Sequence, residues 1–189
     1  MRRLIFKSIV HGPLTEAAPL REDSAMAELA AQAGHAGRQR LGRTLAVRQV
    51  DAGSCNSCEL EIHALSNVLY DLERFGIRFV ASPRHADVLL VTGPVTTNMR
   101  EALERTYQAT PHQKWVVAVG DCARDGGVFS GSYACVGGIS SVLPVDLHIR
   151  GCPPSPTALL KGLLALLECV DHGVGADAGK ASATNPVAP

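Results

Sequence analysis

The chain has 189 residues, of which 46% are hydrophobic, and its 18 basic and 18 acidic residues give a formal net charge of +0. This length favours one domain, at about 100–200 residues per domain. The neutral balance argues against a nucleic-acid-binding protein, which usually has a basic surplus. No apolar run reaches the ~18 residues that a transmembrane helix needs, and the first residues lack the apolar stretch of a signal peptide.

These properties predict a cytoplasmic chain with reduced thiols. The six cysteines are therefore better explained as metal ligands or core residues than as disulfides. We predict an extended N-terminal arm over residues 1–43, in which only Asp23–Gln32 has weak helical character. We also predict an α/β domain over residues 44–170 and a disordered tail over residues 171–189, which is rich in Gly, Ala, Ser and Pro.

Apolar strands and helices alternate along the predicted domain. In chain order we predict a strand at Leu45–Val50, a helix at Glu59–Phe75 that ends at Gly76, a strand at Ala86–Val91, a helix at Asn98–Gln108, strands at Trp115–Val119 and Leu147–Ile149, and a helix at Thr157–Val170. Such alternation indicates a parallel sheet with helices on both faces.

The last predicted helix is apolar around most of its circumference. Its leucines are Leu159, Leu160, Leu163, Leu164, Leu166 and Leu167. A helix of this kind is normally buried on nearly all sides, whereas one sheet face covers about half of it. We therefore expect a partner subunit to cover the remainder. The alternative is that residues 13–43 fold back over this helix.

Four cysteines follow predicted strands. Cys55 and Cys58 follow the first strand, Cys122 follows Trp115–Val119, and Cys152 follows Leu147–Ile149. Because the carboxyl ends of parallel strands lie at one edge of a sheet, these loops should meet there. Four thiolates suit either an iron–sulfur cluster or Zn²⁺. The glycines around these cysteines would let backbone N–H groups approach the sulfurs.

Zinc binding and dithiol redox chemistry are alternative roles for these cysteines. Zinc sites usually contain two close cysteine pairs, whereas only Cys55 and Cys58 form one here. A Cys-x-x-Cys pair can also be a dithiol redox motif, although such motifs need no further cysteine. Cys169 is interpreted as a core thiol, and Cys135 lies in a Gly-rich loop as a weaker candidate ligand.

Glu61 is a candidate for proton coupling. It lies one turn after Cys58 and four residues before Leu65 on the predicted helix. Burial and a neighbouring negative charge would raise the pKa of such a carboxyl group, so that it takes up a proton when an electron arrives. The alternative is that Glu61 caps backbone N–H groups in the first turn.

Three segments together resemble one protein family. They are CNSCELEI, GDCARDGGVFSGSYACVGG and VLPVDLHIRGCPPSPTALLKGLLALL. They are similar to the small subunit of membrane-bound, energy-converting [NiFe]-hydrogenases and formate hydrogenlyase, in the superfamily of the B-type subunit of NADH–quinone oxidoreductase. The resemblance covers roughly residues 44–169. It implies a flavodoxin-like fold with an Fe–S site at the carboxyl edge of the sheet.

The resemblance also implies the cofactor and the partners. One [4Fe–4S] cluster would be held by Cys55, Cys58, Cys122 and Cys152, and the family's acidic residue falls on Glu61. The chain would be a non-catalytic-centre subunit of an oxidoreductase complex, with a large catalytic subunit, a ferredoxin-like Fe–S subunit and membrane subunits as partners. It would be peripheral to the cytoplasmic side of the inner membrane through that complex.

The spacing of the first cysteines separates two branches of the superfamily. The respiratory subunit has adjacent cysteines there, whereas Asn56 and Ser57 separate Cys55 from Cys58 here, as in the hydrogenase type. The hydrogenase motif usually has Gly at the position of Ser57. We expect an electron-transfer subunit of a hydrogenase or formate hydrogenlyase-like complex. The alternatives are a cluster carrier in a quinone-reducing complex and a structural metal-binding interaction module.

Overall fold

A computed structural model describes residues 23–171 of the chain. The helices are α1 (Asp23–Leu41), α2 (Ser57–Ala64), α3 (Thr97–Ala109), α4 (Asp121–Asp125) and α5 (Pro156–Asp171). The strands are β1 (Leu45–Asp51), β2 (Ile77–Phe79), β3 (Val88–Thr92), β4 (Val95–Thr96), β5 (Trp115–Val119), β6 (Cys135–Gly137) and β7 (Leu147–Ile149). No helix in this part of the chain is both long and apolar enough to span a membrane.

Five strands form one parallel sheet in the order β2-β1-β3-β5-β7. Once the small antiparallel pair of β4 and β6 is set aside, this is the 2-1-3-4-5 strand order of flavodoxin-like folds. The predicted α/β, flavodoxin-like class is therefore confirmed. All five carboxyl ends lie at the same edge of the sheet.

The core has two layers, one on each face of the sheet. Val88 and Leu90 of β3 pack in the layer that contains the buried leucines of α5, whereas Leu89 and Val91 pack in the layer that contains Leu103 of α3. Successive side chains of a strand point to opposite faces, so a strand buried on both faces is apolar at every position. The predicted cover of helices on both faces is confirmed.

The predicted helix Glu59–Phe75 is wrong beyond its first turns. Helix α2 ends at Ala64, and the side chain of Asn67 accepts hydrogen bonds from the N–H groups of Leu69 and Tyr70 at 2.8 and 3.1 Å. Such local side-chain bonds offer the backbone an alternative to the helix. Val68 is consequently exposed rather than on an inward helical stripe.

The extended arm predicted for residues 1–43 is wrong for residues 23–41, which form α1. Ala30 and Ala33 of α1 are buried in the same core layer as α5, and the two helices pack along each other. The leucines of α5 are buried, apart from the partly buried Leu164. The fold-back alternative is therefore observed, and the expectation that a partner must cover this helix is wrong.

Other sequence-based expectations lie outside the described residues. The structure does not describe residues 1–22, most of the predicted tail, or the side chain of Cys169. The arm over residues 1–22 and the disordered tail after residue 171 stay predictions. The same holds for the packing of Cys169 in the core.

The close contact of α1 with residues 72–75 predicts that a Gly→Ala change in this helix lowers stability. Alanine inside a helix normally stabilises it by about 0.5–1 kcal/mol relative to glycine. A Cβ at Gly34, however, would lie within covalent range of the carbonyl oxygen of Phe75. We expect Gly34→Ala to lower the free energy of unfolding by about 1–3 kcal/mol through overpacking, as measured by urea denaturation.

Gly37 on the same helix provides the control. A Cβ there would lie 3.4 Å from the Cβ of Leu45, which is ordinary van der Waals contact. Gly37→Ala should therefore leave stability unchanged or raise it. Equal stability of the two variants would contradict the close packing of α1 against residues 72–75.

Candidate metal centre

Three loops at the carboxyl edge of the sheet carry the four predicted cysteine ligands. Cys55 and Cys58 follow β1, Cys122 follows β5, and Cys152 follows β7. The charges of Cys55, Cys122 and Cys152 all raise the pKa of Cys58, so the four sulfur atoms lie within electrostatic range of one another. The fold thus brings together the four cysteines that follow predicted strands in the sequence.

The loop after β1 is shaped by its own polar side chains. The Asp51 carboxylate accepts hydrogen bonds from the N–H groups of Gly53 and Ser54, both at 2.7 Å. The Ser54 hydroxyl accepts a bond from the N–H of Asn56 at 3.0 Å and donates one to a carboxylate oxygen of Glu59 at 2.6 Å. This network ties the segment that carries Cys55 to the helix that carries Cys58.

Backbone hydrogen bonds join the loops after β5 and β7. The N–H of Gly120 donates to the carbonyl of Ile149 at 2.8 Å, and the N–H of Asp121 donates to the carbonyl of Gly151 at 3.0 Å. These bonds continue the ladder between the two strands beyond the sheet. They hold Cys122 beside Cys152, although 29 residues lie between them in sequence.

The electrostatic environment favours protonated thiols at two of the four positions. Burial, followed by the charge of Glu59 and of the other thiols, raises the pKa of Cys58 to about 12. Burial also raises the pKa of Cys122. Without a bound cation these groups keep their protons at neutral pH, so metal binding at this site must release protons.

Cys55 has the opposite shift. Its sulfur is exposed and lies 3.4 Å from the Ser57 hydroxyl, which can donate a hydrogen bond to a thiolate. This bond, together with a backbone N–H bond from Ser57, lowers the pKa of the Cys55 thiol. Ser57 stands where the resembling hydrogenase motif usually has Gly, so that motif lacks this hydroxyl donor.

Two glycines leave space beside the sulfur atoms. Gly120 has a φ of +90°, and a Cβ there would lie 2.8 Å from the Sγ of Cys58. Gly127 has a φ of +50°, and its Cβ would lie 2.7 Å from the Sγ of Cys122. Both backbone conformations favour glycine, and any side chain would displace a thiol.

Glu59, rather than Glu61, is the buried carboxylate at this site. Glu59 is 5% exposed, and its Oε1 has no hydrogen-bond partner among the described residues. Glu61 lies in the second turn of α2 and is only partly buried. Sequence reasoning missed Glu59, although its three-residue spacing from the core residue Ile62 could have indicated an inward position.

The weaker candidates do not join the four thiols. Cys135 lies in β6, where it pairs with Thr96 of the small antiparallel sheet, and its charge is not among those that shift the pKa values of Cys55, Cys58 and Cys122. The side chain of Asn56, which precedes α2, forms no capping hydrogen bond, and the capping alternative for Glu61 stays a prediction.

Comparison with known proteins agrees with this arrangement. Residues 55–166 match the family described as NADH ubiquinone oxidoreductase, 20 Kd subunit, which is more than half of the chain. The chain belongs to this family. The matched segment begins at Cys55 and contains all four cysteines of the carboxyl edge.

Individual relatives come from different complexes. The chain is 46% identical over 140 residues to formate hydrogenlyase subunit 7 of Escherichia coli, which covers 72% of this chain and 55% of that protein. It is 50% identical over 109 residues to the B-type subunit of NADH-quinone oxidoreductase of Citrifermentans bemidjiense, which covers 58% of this chain and 64% of that protein. The chain thus spans less than two thirds of the length of each.

A solved structure has the same fold. It is a chain of the membrane-bound sulfane sulfur reductase, an archaeal respiratory membrane complex, with a TM-score of 0.63 and 33% sequence identity. The match covers 75% of this chain and 76% of that chain. The chain therefore belongs to a family of subunits of oxidoreductase complexes.

The residues present fit the iron–sulfur centre that the 20 kDa subunit family implies. Four thiols provide the donors that such clusters use, and Gly120 and Gly127 keep the space beside two of the sulfurs clear. Within residues 23–171, no three His, Cys, Asp or Glu side chains are arranged to enclose a single metal ion.

The glycine at position 120 gives a direct test of the space around Cys58. We expect Gly120→Ala to lose most of its bound iron, because the new Cβ displaces the Cys58 sulfur. Iron content per chain after anaerobic purification is the measurement. Gly131, which has a φ of +79° and nothing within 4 Å of an added Cβ, is the matched control. Equal iron loss in Gly131→Ala would show that backbone strain alone is responsible.

The hydroxyl of Ser57 gives a second test, which needs no metal. Because this hydroxyl stabilises the thiolate, Ser57→Ala should raise the pKa of Cys55 toward its ordinary value. Alkylation of Cys55 by iodoacetamide in the metal-free chain should then become slower at neutral pH and shift its midpoint to higher pH. Ser57→Thr, which keeps the hydroxyl, should behave like the wild type. An unchanged pH profile in Ser57→Ala would contradict the hydrogen bond.

Proposed function

We propose that this chain is an electron-transfer subunit that carries one [4Fe–4S] cluster beside the active site of a partner large subunit. The proposed complex is a hydrogenase or a formate hydrogenlyase-like complex. The observation that carries this proposal is the convergence of Cys55, Cys58, Cys122 and Cys152 from three loops at one sheet edge. When bound, the cluster would supply one-electron transfer.

The residues of the chain have separate roles in this proposal. The four cysteines bind the cluster as thiolates, and the loop network around Ser54 and Glu59 orients Cys55 and Cys58. The Ser57 hydroxyl and the backbone N–H groups of Ser57 and Val128 donate to the sulfurs of Cys55 and Cys122. Such donors stabilise the more negative, reduced state.

Exposed apolar side chains near the cysteines support docking of a partner subunit at this edge. Leu60 of α2 is 61% exposed, and Val128, directly after the Cys122 helix, is 85% exposed. Phe129 and Tyr133, which follow Val128 in the chain, and Val136 of β6 are also exposed. Exposed apolar patches commonly mark protein interfaces. Burial of this edge by a large subunit would bring the cluster close to that subunit's active site.

The relatives support a role for this chain within a larger complex. Formate hydrogenlyase and the sulfane sulfur reductase are named as multi-subunit or membrane complexes. We therefore propose a large catalytic subunit, a ferredoxin-like Fe–S subunit and membrane subunits as partners. The chain would lie at the cytoplasmic side of the inner membrane and attach to it through these subunits.

A quinone-reducing respiratory complex is the second candidate. The 50% identity to the B-type subunit of NADH-quinone oxidoreductase favours it, whereas the Cys-x-x-Cys spacing of Cys55 and Cys58 resembles the hydrogenase type. The sequence of the co-purifying large subunit separates the two candidates. Two Cys-x-x-Cys motifs for nickel and iron in that large subunit would favour hydrogenase.

The ligand set is tested by single Cys→Ser variants. We expect each change at Cys55, Cys58, Cys122 or Cys152 to abolish the EPR signal of the reduced cluster, since serine is a poor ligand for it. Cys135→Ser and Cys169→Ser are matched controls and should keep the signal. A wild-type protein that contains zinc and no iron would contradict the proposed cofactor.

Proton coupling at Glu61 stays a separate proposal. If Glu61 takes up a proton when the cluster is reduced, the midpoint potential should fall as pH rises, and Glu61→Gln should flatten this slope. The measurement is a redox titration followed by EPR at several pH values. A slope that is the same in Glu61→Gln and wild type would exclude this role for Glu61.

A further inference from the structure

A cleft lies where β1 loses its neighbour at the edge of the sheet. Its volume is about 270 Å³, and it is open to solvent on one side. The residues that line it come from β1, from α2 and its following turn, and from the end of β2: Arg48, Gln49, Ile62, His63, Ser66, Phe79, Val80 and Ala81. Because Ile62 lies one turn after Cys58, the cleft is next to the proposed metal centre.

The edge of β1 is incomplete at this cleft. Strand β2 pairs with β1 only along Leu45–Val47, and the last bond on this side runs from the N–H of Val80 to the carbonyl of Val47 at 2.9 Å. Alternate residues of a parallel strand bond to opposite neighbours, so the backbone groups of Gln49 face this side. Among the described residues none forms a backbone hydrogen bond with Gln49 there.

The partly buried side chain of Arg48 lies beside this free edge. The Nε of Arg48 is buried and has no hydrogen-bond partner within residues 23–171. Native proteins rarely leave such a donor unpaired, because it has lost its bonds to water without gaining others. A carboxylate is the acceptor that a guanidinium binds best, through two parallel hydrogen bonds.

We propose that an extended segment of a partner subunit adds to the free edge of β1 and places an Asp or Glu carboxylate on Arg48. A free small anion would satisfy Arg48 alone, whereas an added strand also satisfies the N–H and carbonyl of Gln49. The partly buried apolar side chains of Phe79 and Val80 give residues of that segment a surface to contact. This inference rests on the proposed function, since it requires a complex.

The test uses the full chain co-expressed with its partner subunits. A photo-crosslinking amino acid replaces Ser66, which is exposed and lines the cleft. We expect a crosslink to one partner peptide that carries Asp or Glu near the attachment point. Arg48→Gln should lower the crosslink yield about tenfold, as for loss of a charge-assisted hydrogen bond. Arg78→Gln, which changes an exposed arginine on β2, should not.

A second measurement does not depend on any variant. Hydrogen exchange of the backbone amides at Gln49 and Asp51 should be slower in the assembled complex than in the isolated full chain. Equal exchange in both states, equal crosslink yields in the Arg48 and Arg78 variants, or a crosslinked peptide without a carboxylate would overturn the inference. If the wild-type chain still retains its iron and its partner subunits in those cases, this inference fails while the proposed function stands.

Discussion

The parallel pairing of β1, β3, β5 and β7 is the constraint on which the metal centre depends. Because all carboxyl ends lie at one edge, loops from β1, β5 and β7 meet there although Cys55 and Cys152 are far apart in sequence. The pairing is stabilised by strands that are apolar on both faces. Hydrogen bonds between the loops after β5 and β7 extend this order as far as the cysteines.

The four thiols repel one another once they ionise. Burial, the charge of Glu59 and this repulsion together raise the pKa of Cys58 to about 12, so the site cannot hold four thiolates at neutral pH without a compensating cation. The hydrogen bond from Ser57 acts in the other direction at Cys55. A metal centre resolves the conflict, because its positive charge stabilises the thiolates that the protein alone disfavours.

The pattern of apolar strands was enough to predict four of the five strands of the sheet, their parallel arrangement and the four cysteine loops, whereas the short edge strand β2 was missed. These features follow from local alternation and from a topological rule, and both are visible in sequence. The extent of α2 was not predictable from leucine spacing, because the Asn67 side chain bonds the backbone beyond Ala64. The packing of α1 was expected only as an alternative, because its contact face includes small residues such as Ala33 and Gly34, which give little amphipathic signal.

At the metal centre, too, residue spacing was not enough to identify the buried carboxylate. Spacing favoured Glu61, whereas burial and the hydrogen bond from Ser54 belong to Glu59. Two acidic residues two positions apart on a helix point to nearly opposite sides, so the core covers only one of them. Family membership adds the cofactor class, which neither burial nor spacing specifies.

The most direct test of this account is the iron and acid-labile sulfide content of the anaerobically purified full chain, read together with its Mössbauer spectrum. The account predicts about four iron and four sulfide ions per chain, with the spectrum of one cubane cluster. Stoichiometric zinc without sulfide would contradict it, and would leave this edge of the sheet as a structural metal site without electron transfer.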